Sequence, residues 1–389
     1  MAPAARGGGK RNLTAEPGDF LALAGKLAYR RDPPAREDFA PLVTAALEAL
    51  EGEDPLLRPR NSSGRPGGLL NLPDLPTVIL PDLHTRAGFL AAALAWQPPL
   101  GGPGGRPREA ADRTGHGARP QATTARLPFG VRPRLAGRAG TRGSPRLADL
   151  LASGEAILLC LGDVFHSEGR DAPQRWARAE REYGYGWKLP SPAMDEEMGR
   201  ALACVEIILR AKAAFPRNFH YLKGNHDNVV NEEGKGDHPF YKFAEEGAMA
   251  ASWFAARYGR DLQATYRAFE LSLPLAARGA RFVASHAEPA FALGPEDIVE
   301  ARNRPEVAEA LTWTGNDEAL PGSVAAGLEF LLGPRAAGAR WFGGHRPVQG
   351  IYNLRADGLY VQFHNPLKQG LVFIQPGELP EPDRVVRTI

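Results

Sequence analysis

Short runs of β-forming residues alternate along this chain with longer segments whose apolar positions recur at helical spacing. Four runs stand out, TVIL at 77–80, AILLCL at 156–161, FHYL at 219–222 and RFVA at 281–284, and each stops at a polar cluster. Brief, nearly unbroken apolar stretches of this kind predict strands buried on both faces. Helical spacing is carried by DFLALAGKLAYRR and EDFAPLVTAALEALEG before the first run and by AGFLAAALAW after it. PAMDEEMGRALACVEIILRAKAAF at 192–215 predicts a longer helix, with acids early and Arg and Lys late, the order that suits a helix dipole. HPFYKFAEEGAMAASWFAARYG at 238–259 predicts another, read as ordinary packing in preference to a lid at a pocket mouth. Strand after strand with helices between them argues an α/β fold.

Composition changes this picture mainly by marking what does not belong to the core. The 389 residues are 43% hydrophobic and 24% charged, enough to bury a substantial core, and the net charge of +2 gives no reason to expect nucleic acid. Between 101 and 148, however, Gly, Pro and Ala are interspersed with ten arginines against only Glu109 and Asp112. Without apolar periodicity such a stretch cannot offset its ordering entropy, so a flexible insertion is expected, with a nucleic-acid or acidic-partner tail as the lesser alternative. Residues 1–75 are expected to form an N-terminal helical element with a loose start, 76–376 the main domain and 377–389 a C-terminal tail. No apolar run is long enough to span a bilayer, no signal-peptide pattern opens the chain, and Cys160 and Cys204 sit in apolar company. These features make the cytoplasm the expected compartment and a membrane partner unexpected. Oligomeric state leaves no readable trace.

The polar clusters at the ends of the runs carry the candidate chemistry. In order they are Asp82 and His84 in PDLH, Asp163 in LGDVFHSEGR, Asn225 and His226 in KGNHDN, and His286 in ASHAEP, followed by His345 in GGHRP. Strands that stop at such residues would hold them on rigid backbone, and several ending together would make one site. The mixture of imidazole nitrogen with carboxylate or amide oxygen suits Mn, Fe or Zn better than Mg or Ca. A carboxylate such as Asp163 can bridge two cations about 3.5–4 Å apart, which lower the pKa of a shared water and clamp an in-line displacement at phosphorus. Taken singly, D-x-H and G-D are turn chemistry. The five clusters in order outweigh that reading.

These motifs resemble the calcineurin-like metallophosphoesterases, and the later ones are most similar to the phosphoprotein (serine/threonine) phosphatase branch. The pattern D-x-H, G-D, G-N-H-[DE], a strand-terminal H and a late G-H is met here by DLH, GD, GNHD, SH and GH. The resemblance implies a four-layer αββα sandwich, two mixed sheets face to face with helices outside. It implies two divalent ions, Mn first and Fe or Zn as alternatives. Asp82, His84 and Asp163 would hold the first ion, and Asp163, Asn225, His286 and His345 the second. His226 would be the general acid facing the leaving group, with Asp227 beside it as a possible orienting partner. Arg304, in RNRPEVAEALTWTGND, and Arg170 would bind phosphate, and His166 is added to the substrate side. His166 stands where the branch has an Asp, and Thr85, Ala287 and Glu288 replace glycines. Where many relatives carry a second histidine two residues after the first, this chain has Pro347, so the resemblance leaves the first ion completed by water. GLYVQFHNPLKQGLVFI at 358–374 occupies the place of the penultimate and last strands, and His364 and Asn365 near its middle carry no assigned role.

The expected activity is hydrolysis of a phosphomonoester on a protein or small molecule by direct water attack. The same ligand set also serves diesters and dinucleoside polyphosphates, which stay open. A non-catalytic scaffold that uses its metals for stability and its arginine-rich insertion for binding is the reading from another class.

Overall fold

A computed structural model describes residues 16–100, 144–184 and 191–389. Residues 101–143 of the arginine-rich insertion expected at 101–148, and the loose start of the chain, within residues 1–15, therefore lie outside the described residues. The strands are β1 (Leu69–Asn71), β2 (Thr77–Leu80), β3 (Ile157–Cys160), β4 (Phe219–Tyr221), β5 (Ala276–Arg278) and β6 (Phe282–Ser285), then β7 (Arg340–Gly343), β8 (Asn353–Arg355), β9 (Tyr360–Gln362), β10 (Gly370–Ile374) and β11 (Val386–Thr388). The helices are α1 (Pro17–Leu27), α2 (Arg36–Glu51), α3 (Ala87–Ala95), α4 (Leu147–Ser153), α5 (Ala172–Tyr183) and α6 (Pro192–Ala214), then α7 (Glu246–Tyr258), α8 (Arg260–Leu271), α9 (Pro295–Val299), α10 (Pro305–Thr312), α11 (Ser323–Leu332) and α12 (Pro382–Val385).

Two mixed sheets result, one ordered β11-β10-β2-β3-β4 and the other β1-β5-β6-β7-β9-β8. The two-residue period of a strand explains how they stack. Ile79, Leu159 and Val372 of the first sheet meet Ala284, Phe342 and Val361 of the second in a core between the sheets. Their neighbours Val78, Leu80, Leu158, Cys160 and Phe373 point the other way, into a core shared with α1 to α8. On the far side Val283, Trp341 and Tyr360 pack with Leu311, Val324 and Leu328 of α10 and α11. Helices, sheet, sheet, helices is the expected four-layer sandwich, and it matches the calcineurin-like fold.

Register positions the site. β2, β3 and β4 run parallel with Leu80 opposite Cys160 and Cys160 opposite Tyr221, so their C-terminal ends finish level. In the facing sheet β6, β7 and β9 are also parallel, with Ala284 opposite Phe342 and Phe342 opposite Val361. Ligand sites of open α/β sheets lie beyond such carboxyl ends.

Several elements differ from the sequence reading, three of them instructively. The segment 238–245 is not helical, because the Glu246 carboxylate accepts hydrogen bonds from the Lys242 and Phe243 amides (2.8 and 2.6 Å) and starts α7 there. Trp253 and Phe254 of α7 are buried in the core, so this helix packs as expected rather than forming a lid. α5 escaped notice because its buried stripe is Ala172, Trp176, Ala179 and Tyr183, half of it alanine, among charged neighbours. Finally β11, after β10, adds an edge strand within 377–389. Among the described residues no helix is long and apolar enough to cross a membrane, and both cysteines are buried free thiols.

Candidate metal centre

Six of the nine histidines of the sequence and two aspartates gather between the strand ends. Asp82 and His84 follow β2, Asp163 and His166 follow β3, and Asn225 and His226 follow β4. His286, His345 and His364 follow β6, β7 and β9. The loops are tied together by backbone bonds from His84 to the Asp163 carbonyl (2.6 Å) and from Thr85 to the Val164 carbonyl (3.0 Å). His84, Thr85, Asp163, His166 and His345 all have left-handed backbone, with φ between 39° and 65°. Non-glycine residues held so cost on the order of 1 kcal/mol or more each, and they concentrate where function requires a side chain to be aimed. Two motif glycines are explained by close approach: a Cβ on Gly224 would collide with the Asp163 carboxylate, and one on Gly344 with that of Asp82.

Within the cluster, Asp82, His84 and His364 bring one ligand atom each within 4.8 Å of one another, and so do Asp82, Asp163 and His286. The hydrogen bonds fix which nitrogens face inward. His84 Nδ1 lies 3.1 Å from the His166 carbonyl and His286 Nδ1 lies 2.9 Å from the Leu161 carbonyl, so each ring donates there and turns an unprotonated Nε2 to the centre. The Nε2 of His84 then faces carboxylate oxygens of Asp163 at 3.6 Å and Asp82 at 3.9 Å. The Nε2 of His286 faces Asp163 at 3.4 Å and Asn225 Oδ1 at 2.9 Å, and His345 Nδ1 stands 3.1 Å from the same amide oxygen. These are acceptors facing acceptors. Both carboxylate oxygens of Asp82, fully buried, have no hydrogen-bond partner. Left without positive charge this arrangement would be strongly unfavourable.

The electrostatics point the same way. Burial, only partly offset by Glu168, pushes His84 down to about 4. Burial also lowers His286, and burial with His286 and Arg346 lowers His345. The rings are therefore neutral, the form that binds metal. Burial, then Asp82 and Asp227, push the Asp163 carboxyl well above its ordinary value. For Asp82, burial is outweighed by His364, His286 and His84, which hold it low. A shared cation would relieve the crowding of the two acids. The donor set fits two divalent ions, one beside Asp82 and His84 and one beside Asn225, His286 and His345, with Asp163 between them.

The remaining sequence-derived residues divide. His226 is stacked on Phe240 with centroids 4.5 Å apart, and its ring is 5.0 Å from His166 and 5.4 Å from His84. It and His345 are the partly exposed members of a buried cluster, so the site opens on their side. His166 is buried, neither ring nitrogen has a hydrogen-bond partner, and Nε2 stands 3.9 Å from Glu246 Oε1. Asp227 does not reach toward His226: its carboxylate accepts from the Gly224, Asp163 and Val164 amides and the Tyr221 hydroxyl, which stabilises the loop. Arg304 is ion-paired to Asp297 and, at 2.9 Å, to Glu306, acids that a phosphate would have to displace. Arg170 is exposed beyond the β3 loop. Sequence reading gave His364 no role; it lies beside Glu168, whose carboxylate is 2.9 Å from His364 Nε2 and 3.7 Å from His84 Nε2.

No family model matches the chain, and no curated protein matches it either. Among solved structures, a protein serine/threonine phosphatase from Saccharomyces cerevisiae with similarity to human phosphatase PP5 aligns at 12% identity over 92% of this chain and 90% of its own, with a TM-score of 0.50. A cold-active protein-tyrosine phosphatase of a psychrophilic Shewanella species aligns at 12% identity over 78% of this chain and 77% of its own, with a TM-score of 0.36. The first likeness is one of fold, and the second adds nothing to it.

Proposed function

We propose that this chain is a metal-dependent phosphoester hydrolase, and within that class a phosphomonoesterase of the serine/threonine phosphatase kind. One observation carries the reading: inward-facing histidine nitrogens, the two unpartnered oxygens of Asp82 and the Asp163 carboxylate, which receives only the His226 backbone amide at 2.8 Å, converge from the carboxyl ends of both sheets. Two divalent ions bound there would supply a water of lowered pKa and neutralise charge on the phosphoryl oxygens. Asp163, between the two halves, would set the ion spacing. His226, at the open side, would meet the oxygen of the leaving group and donate a proton to it. Burial, His166 and His84 hold that ring neutral, so the proton must arrive with the anionic substrate. Arg170 would grip non-bridging oxygens. Arg304 could do so only by leaving Asp297 and Glu306.

The test is metal analysis of the purified protein. Turnover would then be measured with Mn added back on p-nitrophenyl phosphate, its bis-ester, diadenosine tetraphosphate and a phosphopeptide. Two ions per chain with fastest turnover of monoesters is expected. Preference for the bis-ester or the dinucleotide would move the assignment to a phosphodiesterase or polyphosphate hydrolase, and a metal-replete protein inert on the whole panel would leave only a scaffold.

A further inference from the structure

We propose that His364 is a protein ligand of the ion held by Asp82 and His84, with Glu168 as the residue that positions it. The inference rests on the metal-dependent reading above but replaces its water-completed first site with one closed by four side chains: Asp82, His84, Asp163 and His364.

His364 is fully buried in the loop after β9, on the sheet opposite Asp82. Its Nε2 is 2.9 Å from Glu168 Oε2. A carboxylate only accepts, so Nε2 carries the hydrogen, and in the neutral ring that a metal ligand requires Nδ1 is the nitrogen with the lone pair. That Nδ1 has no hydrogen-bond partner although it is buried, and the nearest carboxylate, Asp82 Oδ2 at 3.9 Å, is itself unpartnered. Two donor atoms each about 2.0–2.2 Å from one ion can stand no more than about 4.4 Å apart, so both this pair and the His84 pairs are within reach of a single cation. Pro347 stands where a second histidine would follow His345. A nitrogen from the neighbouring strand end would restore the missing donor.

Glu168 has the features of an orienting group. Its side chain is 6% exposed, and its second oxygen is ion-paired to Lys242, which fixes the carboxylate while leaving one oxygen for His364. A histidine ligand whose outer nitrogen is hydrogen-bonded to a carboxylate is held in one tautomer and made more basic. Each half of the centre would then offer two imidazole nitrogens, which favours Zn, Fe or Co over Mg.

The experiment uses the full chain, stripped with chelator and titrated with Co2+, following calorimetric stoichiometry and the visible absorption bands. Wild type should take up two equivalents; uptake of fewer would sink the metal-dependent reading itself, whatever His364 does. With two bound, His364→Ala should keep one equivalent at wild-type affinity, weaken the other by a hundred-fold or more and alter the bands of that ion. His364→Gln should do the same and carries the test if the alanine variant does not fold. Glu168→Gln should weaken the same ion by roughly ten-fold. Two equivalents at unchanged affinity and spectrum in both His364 variants would overturn the assignment. A larger loss from Glu168→Gln than from His364→Ala would also overturn it, because Glu168 would then be the ligand.

Discussion

Two buried clusters of charged and histidine side chains lie in this molecule, and they are built on opposite terms. Around Glu53, donors meet an acceptor: one carboxylate oxygen faces Arg58 at 2.9 Å, the other faces Lys212 at 2.5 Å, and His220 Nδ1 stands 3.5 Å away. Surplus donors are used up on carbonyls, Arg58 on Gly67 and Ser272 and Lys212 on Pro216. Around Asp82 and Asp163 acceptors face acceptors, and five residues are held in left-handed backbone to keep them there. That network of opposite charges ties the segment after α2 to α6 and β4. A cluster of converging acceptors calls for cations, and burial alone would not have told the two apart.

Breaking the comparison at its unsatisfied end should have the largest effects. Asp163→Asn removes the charge common to both halves of the centre, so metal content should fall below one ion per chain and kcat/KM by about 10⁴ or more, since both Lewis-acid roles are lost together. Equal metal content and unchanged rate would rule out the bridging assignment. His226→Ala leaves the proposed ligands untouched and should lower kcat by about 10²–10⁴ with both ions retained, as expected for loss of a general acid. Gly344→Ala would set a methyl group on the Asp82 carboxylate. We expect it to weaken metal binding by about 10–100-fold, the range seen when a ligand is pushed off its orientation, with both ions recoverable at high metal concentration.

The strands that carry the site were legible because each is a short, doubly buried run that ends on its ligand, as TVIL does three residues before His84's neighbour Leu83. The same rule left His364 without a role: it also follows a strand and has Asn365 beside it, but with no glycine turn before it, it looks like any other strand end. Its role depends on Glu168, 196 positions away in the chain, and pairings of that separation leave no local signature. Asp227 misled for the converse reason. Adjacency to His226 suggested a partnership, whereas the turn at Gly224 points its carboxylate at backbone amides. α5 was illegible because two of its four buried positions, 172, 176, 179 and 183, are alanines, which suit either face of a helix, so only Trp176 and Tyr183 mark the stripe. Arg304 was read for its Arg-Pro neighbour, but the proline simply opens α10 and the guanidinium turns to Asp297 and Glu306.

At the satisfied end, the effect is one of stability and it carries a pH signature. Burial alone would raise the Glu53 carboxyl, but Lys212, His220 and Arg58 outweigh it and hold it well below the usual carboxylate range. A depressed acid stabilises the folded state at every pH above its unfolded value, about 4.3, and loses that contribution as pH falls toward the folded value. Glu53→Gln keeps the shape but strands Lys212 and Arg58 without a counter-charge, which should cost about 3–5 kcal/mol at neutral pH. Denaturant unfolding of metal-stripped wild type and variant should show that gap constant between about pH 6 and 8 and shrinking below about pH 4.5. Stripping the metal keeps acid release of ions from the other cluster out of the difference. A gap that stayed constant down to pH 3, or that opened on acidification, would mean that Glu53 is not the charged anchor of its network, and that the two clusters differ less than their geometry says.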